Sequence, residues 1–349
     1  MTELSMTELC KPCVEVTKDL ENFDSNYNAD VDPVKTFSDS VSPDLAFYER
    51  VRDTKRNGSR QLVYTDVLER ETGNAFLVKA GQVIRIEQRP NAEGNNGRTQ
   101  IMDVLMVTPD LQQYSDHLNS TAMDGFNQRL YSGIWTQSRH FRKMATLVED
   151  EFPYDELPDG FTHIWLAAHC SPEYIGLAHG LEKVTNSCHE NFLHGFSRIP
   201  AIANIRDEKL KREVCQFLAD RNDWNIFQGN QFMLDEQNIT RARMCPTPPV
   251  KDGTAIEWYA EQDMYVVISN CPYGDQHTCY TEIKNNNVFI EVYDTGIAPY
   301  SQRSTDRIQG WEEAAWARVE ARGGKLAEQQ TMEPVELTLP FDVISLKGK

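Results

Sequence analysis

Three cysteines of this chain stand where a scaffold could present them to one ligand. Cys170 closes the apolar run HIWLAAHC, Cys188 opens a helical segment in TNSCHENF, and Cys271 closes MYVVISNCP. The ends of strands and helices hold side chains rigidly. Thiolates placed there can bind zinc or another soft metal. A thiolate at a helix N-terminus also has a lowered pKa, so Cys188 suits a nucleophile. The plain alternative is three buried core thiols, because no C-x-x-C pattern links them.

Histidines and acids add further candidates. His163, His169, His179, His189 and His194 fall within one stretch. His163 and His169 are six apart, so in one strand they share a face while Cys170 takes the other. A bulge would be needed for His163 and Cys170 to meet at one ion. Glu149 and Asp150 end the run MATLVED, and Glu261 and Asp263 precede the strand that leads to Cys271. A carboxylate beside a metal-bound water can act as its base, although most acidic pairs in so acidic a chain are solvated surface. Cys10 and Cys13 form a C-x-x-C with no second pair at zinc-finger spacing. Cys215 lies near the apolar face of an amphipathic helix over 207–220, a core position.

The elements that must position these groups read mainly as strands. LVYTDVLERETGNAFLVKAGQVIRIEQ predicts strands broken by turns, and QVIRIEQ alternates with the period of a half-buried strand. QIMDVLMV, FRKMATLVED, THIWLAAHC, WNIFQGNQF, MYVVIS and VFIEVYD predict further strands. Helices are expected over 109–131, in SPEYIGLAHGL, in SCHENFLHGFSRI and in IQGWEEAAWARVEA. Strands outnumber helices, so the class is α+β with a large, mainly antiparallel sheet or a barrel-like core. Residues 1–45 read as a polar tail, 46–298 as the compact domain, and 299–349 as an extension with one helix.

A length of 349 residues, with 40% hydrophobic and 25% charged content, allows a sizeable core. The net charge of -18 argues against nucleic acid and anionic membranes and suits a small cationic or neutral substrate. No apolar run approaches the ~18–20 residues of a membrane span, and the start lacks a secretory pattern, so a cytoplasmic protein is expected.

Six stretches together resemble the urea carboxylase-associated proteins, a family that includes carboxyguanidine deiminase. FLVKAGQVIRIEQ resembles its opening turn and strand, and GRTQIMDVL its glutamine–aspartate strand. MATLVED resembles its strand ending in Glu-Asp, and HIWLAAHCSPEYIG its histidine, strand and cysteine. SCHENF resembles its Cys-x-x-Asn helix start, and EQDMYVVISNCPYGDQ its closing motif. They occur in order over roughly residues 75–295. The resemblance implies one divalent metal, with zinc as the expected ion, on Cys170, Cys188, Cys271 and His163. It implies Glu149 and Asp150 as catalytic acids, with Gln100, Asp103 and Asn191 toward substrate. The implied reaction is hydrolysis of a C–N bond in a small guanidine-, amidine- or urea-like compound, by this chain alone, as a homo-oligomer or with a homologous partner subunit. The alternative is a ligand-binding subunit that partners a homologous enzyme. Two positions depart from the family pattern. Ile164 stands where an Asp is usual, and Thr185 where a His is frequent.

Overall fold

A computed structural model of the chain describes residues 44–89, 99–124, 128–152, 154, 161–179, 182, 186–234, 240–244, 254–272, 287–299 and 311–322. The Cys10–Cys13 pair, Cys245 and Thr185 lie outside the described residues.

Side-chain alternation sets the layers. In the strand Met102–Val107, Met102, Val104 and Met106 enter one apolar cluster, while Leu105 and Val107 enter another on the opposite face. That is the period of two expected of a strand buried on both sides. Two sheets are built this way, and every strand pairing among the described residues is antiparallel. The first has seven strands in the order β1 (Gln61–Leu68), β13 (Val288–Asp294), β3 (Gln82–Gln88), β11 (Thr254–Ala260), β7 (Lys143–Asp150), β6 (Gly133–Thr136) and β5 (Ser115–Asp116). The second has six. Its main path is β10 (Thr240–Met244), β9 (Asp223–Leu234), β4 (Met102–Val107), β12 (Met264–Asn270) and β2 (Gly73–Val78), and β8 (Phe161–Ala167) also pairs with β9. Ile84, Ile86, Ile256 and Trp258 from the first sheet share a cluster with Met102, Val104, Val266 and Ile268 from the second. The two sheets therefore pack face to face, and among the described residues neither closes into a barrel. The α+β, antiparallel expectation holds in its open-sheet form.

Helices cover both outer faces. On the seven-stranded sheet, α1 (Leu45–Arg56) is N-capped by the Asp44 side chain. It packs Phe47, Tyr48 and Val51 against Val83, Val148 and Tyr259. On the six-stranded sheet, α4 (Cys188–Arg198), α5 (Pro200–Ala203) and α6 (Glu208–Ala219) bury Phe192, Phe196, Ile202, Val214 and Leu218 against Leu105 and Val267. Cys215 lies in that cluster, as its place on the helix predicts. The remaining helices among the described residues are α2 (His117–Asp124), α3 (Pro172–His179) and α7 (Trp311–Arg322).

Two sequence expectations change. The helix over 109–131 shrinks to α2, because Asp110 accepts from the Gln112 amide in a turn and Asp116 accepts from the Asn119 amide, delaying the helix start. QVIRIEQ is not half-exposed, since Arg85 and Glu87 are buried as well. Arg85 donates to Glu87, Glu151 and Glu257 at 2.8–3.0 Å, and Arg60 forks onto both oxygens of Glu257 at 2.9 and 3.1 Å. An ionic layer thus covers this part of the outer face.

Close approach of α4 to β2 requires glycine. A Cβ on Gly73 would lie 2.6 Å from the Asn191 carbonyl oxygen and 2.8 Å from its Cβ. Gly73→Ala must push away the first turns of α4, which carry Cys188 and Asn191. A loss of ~1–3 kcal/mol is expected from such overpacking, read as a lower urea midpoint at unchanged m-value.

Candidate metal centre

Strand parity gathers the site at one end of the helix-covered face of the six-stranded sheet. On β4, Asp103 shares its face with Leu105, and on β12, Ser269 shares its face with Val267. On β9, Trp224 and Ile226 point to the inter-sheet core, so Asp223 and Asn225 point the other way. Register then places Asp103 opposite Ser269 on one side and Asn225 on the other. Cys271 continues the outward alternation of β12 one step past its end.

The N-terminus of α4 closes over this end. Ser187 is its N-cap and accepts from the Glu190 amide, while the Glu190 carboxylate accepts from the Ser187 hydroxyl at 2.9 Å, a reciprocal cap. Asn191 donates to Ser269 at 3.0 Å, tying the helix to β12. Strand β8 ends at Ala167, so Cys170 sits in the loop before α3 rather than at the strand end. There its sulfur accepts from the Cys188 amide at 3.2 Å and its carbonyl from the His189 amide at 3.1 Å. The Cys271 amide donates to the Ile101 carbonyl at 3.1 Å, and Gln100 donates from Nε2 to the Cys271 carbonyl at 2.9 Å.

The result is a buried three-thiol group. The sulfurs of Cys170, Cys188 and Cys271 all lie within 4.8 Å of one another. Zn–S bonds of ~2.3 Å in a tetrahedron separate sulfurs by roughly 3.8 Å, so a small adjustment seats one soft ion. The donor chemistry fits the same ion. Asp103 lies near Cys188 and Cys170, is hydrogen-bonded by Asn225, and is pushed up by burial and by the nearby Asp223. Asp223 is raised to about 8, chiefly by burial. The Cys170 thiol is pulled down because Cys188 and Cys271 both donate to it, and the Cys188 thiol is pushed up by burial. Among the described residues, no Lys or Arg pairs with these five groups. Burial favours the protonated forms of most of these acids, and a bound cation would offset that by stabilising their ionised forms.

Not all the residues marked in the sequence meet here. Gln100, Asp103 and Asn191 do surround the thiols. His163 lies near the start of β8, away from the group. Its Nε2 faces Asp150 at 3.1 and 3.2 Å, and its ring stacks on Phe152 with centroids 3.8 Å apart. A bulge does occur in β8 between Thr162 and Ile164, yet four residues of strand at ~3.3 Å each already separate His163 from Ala167 by about 13 Å. Glu149 and Asp150 end β7 on the other sheet. Glu149 pairs with Arg52 at 3.1 Å, and Asp150 accepts from Tyr154 at 2.8 Å.

Sequence reading missed Asp223, Asn225 and the run of histidine contacts that leads away from them. His169 Nδ1 faces Asp223 at 3.2 Å, His169 Nε2 faces His189 Nδ1 at 3.0 Å, and His189 Nε2 faces Gln216 at 2.8 Å. The usable signal was parity in DWNIF, where two polar residues alternate with Trp224 and Ile226 at the start of a strand.

Fold and site together define an α+β protein of two packed antiparallel sheets with a buried three-cysteine centre. No family model matches the chain, and no curated protein does. Among solved structures it is similar to a DUF1989 family protein, a domain-of-unknown-function family, from Silicibacter pomeroyi DSS-3. The two share 22% identity with a TM-score of 0.57 over 74% of this chain and 84% of the other. At that identity the likeness shows a shared fold.

Proposed function

We propose that the chain is a metal-dependent hydrolase of the urea carboxylase-associated type. It would release ammonia from a C–N bond of a small guanidine-, amidine- or urea-like compound. The observation that carries this reading is the convergence of Cys170, Cys188 and Cys271 beside two buried carboxylates. Three cysteines are a donor set that zinc deaminases use. A divalent ion held there, with zinc as the natural fit, would supply Lewis acidity that makes a water nucleophilic near neutral pH.

The chain's own residues supply the rest. Asp103 and Asp223 lie beside the thiols and would take a proton and return it to the departing nitrogen. This role falls to them rather than to Glu149 and Asp150, which stand on the other sheet. The Gln100 side-chain oxygen is buried without a hydrogen-bond partner. Such an acceptor suits an N–H edge of a guanidine or urea. Asn225 holds Asp103, and His169 holds Asp223. Among the described residues no helix is long and apolar enough to cross a membrane, consistent with a cytoplasmic enzyme acting on a small molecule.

One observation favours a second reading. The three thiols are 0–8% exposed, and closed metal sites are structural more often than catalytic. In that case the chain would be a ligand-binding subunit of a homologous partner.

Ammonia release separates the two readings. Protein purified without added metal is analysed for bound metal, then assayed on carboxylated guanidine, guanylurea, biuret and simple amides. Activity is expected on at least one. Asp223→Asn is expected to lower it ~100-fold or more, the scale of a lost proton-transfer group, with metal still bound. Metal-loaded protein silent across the panel would favour the binding-subunit reading.

A further inference from the structure

Away from the thiols, a cavity of about 670 Å³ opens between α1, the end of β7 and the start of β8. Small-molecule sites commonly have this size. Its wall includes Arg52, Asp124, Gln128, Arg129, Glu149 and Tyr154.

The hydrogen-bonding capacity left over on this wall is specific. Gln128 is only 2% exposed. Its Oε1 accepts from the Trp258 indole at 2.8 Å, which fixes the amide orientation, and its Nε2 is buried without a partner. Buried donors are rarely left unpaired, and removing Nε2 from water costs free energy unless an acceptor comes to it. Arg52 keeps a second such donor. Its terminal nitrogens bond Glu49, Tyr131 and Glu149, while Nε is buried and unpartnered. Arg129 is exposed, and among the described residues its guanidinium has neither an ion pair nor a hydrogen bond. These three side chains call for an acceptor with negative charge.

The same wall also offers acceptors. Glu149 gives Oε1 to Arg52, and Asp124 gives Oδ2 to the Trp135 indole and the Gly133 amide. Among the described residues, the second oxygen of each carboxylate has no partner. Asp150, by contrast, is fully used by His163, Tyr154 and the Phe152 amide. Residues with spare donors and residues with spare carboxylate oxygens therefore line one cavity.

We propose that this cavity is a second ligand site, for a small zwitterion carrying a carboxylate and a cationic nitrogen group, such as an α-amino or guanidino acid. The carboxylate would lie on Arg129 and the Gln128 and Arg52 donors. The cationic group would lie on Glu149 and Asp124. An anion alone would meet those two carboxylates, and a cation alone would meet the two arginines, so neither satisfies the wall as the zwitterion does.

Calorimetric titration of the full chain tests the proposal, with arginine and guanidinoacetate as zwitterions and acetate and guanidinium as one-ended controls. Saturable binding of at least one zwitterion is expected, at least tenfold tighter than either control. Arg129→Ala, at an exposed position where folding is safe, is expected to weaken zwitterion binding tenfold or more. Glu149→Gln should weaken arginine more than acetate. A chelator should leave the affinity unchanged. Binding lost on chelation would locate the ligand at the thiols and overturn the second site. No binding by either zwitterion, or binding indifferent to Arg129→Ala, would overturn it too. None of these results depends on ammonia release, so the hydrolase reading stands or falls separately.

Discussion

Protein carrying Cys188→Ser is expected to leave purification with less than a tenth of the metal bound by the unchanged chain. Cys188 is fully buried, its amide bonds the Cys170 sulfur, and its own sulfur completes the three-thiol group. Loss of a metal's outer partners alone typically costs 10–100-fold in affinity, so loss of a direct ligand should exceed that. Serine keeps the shape and the helix start. The Ser187 cap and the Asn191–Ser269 bond remain, so the apoprotein should fold. Elemental analysis reads the metal, and thermal unfolding reads the coupling, because an ion that binds only the folded chain stabilises it. Retention of a full equivalent by folded Cys188→Ser protein would remove Cys188 from the centre.

Removal of Glu257 should be the costliest single change on the opposite face. Its side chain is 3% exposed, and Arg60 and Arg85 beside it are 9% and 10% exposed. Glu257→Ala leaves Arg60 with only the Tyr293 ring, 3.9 Å away, among the described residues. Breaking one side of a buried ion pair costs ~3–5 kcal/mol, because the remaining charge stays desolvated. The pH dependence follows. Burial opposes ionisation of Glu257, but the Arg60 hydrogen bonds and the charges of Arg60, Lys55 and Arg85 outweigh it, so its pKa falls below the ordinary 4.5. A depressed carboxylate stabilises the fold above its unfolded pKa and loses that contribution as pH falls through the folded value. Stability of the unchanged protein should therefore drop below about pH 4.5, and the Glu257→Ala chain should show a shallower drop. Urea titrations at pH 3.5 and 6 measure both. A mutational cost below ~1 kcal/mol at pH 6 would show that the network holds without its central acid.

Much of the fold was legible because strands announce themselves locally, as alternation in QVIRIEQ and as short apolar runs in MDVLMV and MYVVIS, and β3, β4 and β12 follow. The three thiols were legible as candidates because Cys170 and Cys271 follow apolar strand-like runs and Cys188 opens a helix behind a capping serine. Strand partners were not legible. Nothing local says that β9 lies beside β4, so Asp223 and Asn225 could not be assigned to the site. The same gap misplaced Glu149 and Asp150, whose strand joins the other sheet. Burial of Arg85 and Glu87 was hidden for a different reason. Alternation of charged with apolar residues reads as one wet face, and only partners far along the chain, Glu151 and Glu257, turn that face into an ionic layer.

Strand order also sets a timetable. Gln61 pairs with Asp294 across the first sheet, and Gln100 reaches the Cys271 carbonyl across 171 positions. Neither sheet can be completed until its last strand has been made, β12 ending at Asn270 in the second and β13 at Asp294 in the first, since pairings between distant segments wait for the later one. The three-thiol group therefore cannot assemble until Cys271 has been made. Until then an ion at the proposed centre would find only two of its three thiols, so loading would follow the synthesis of Cys271.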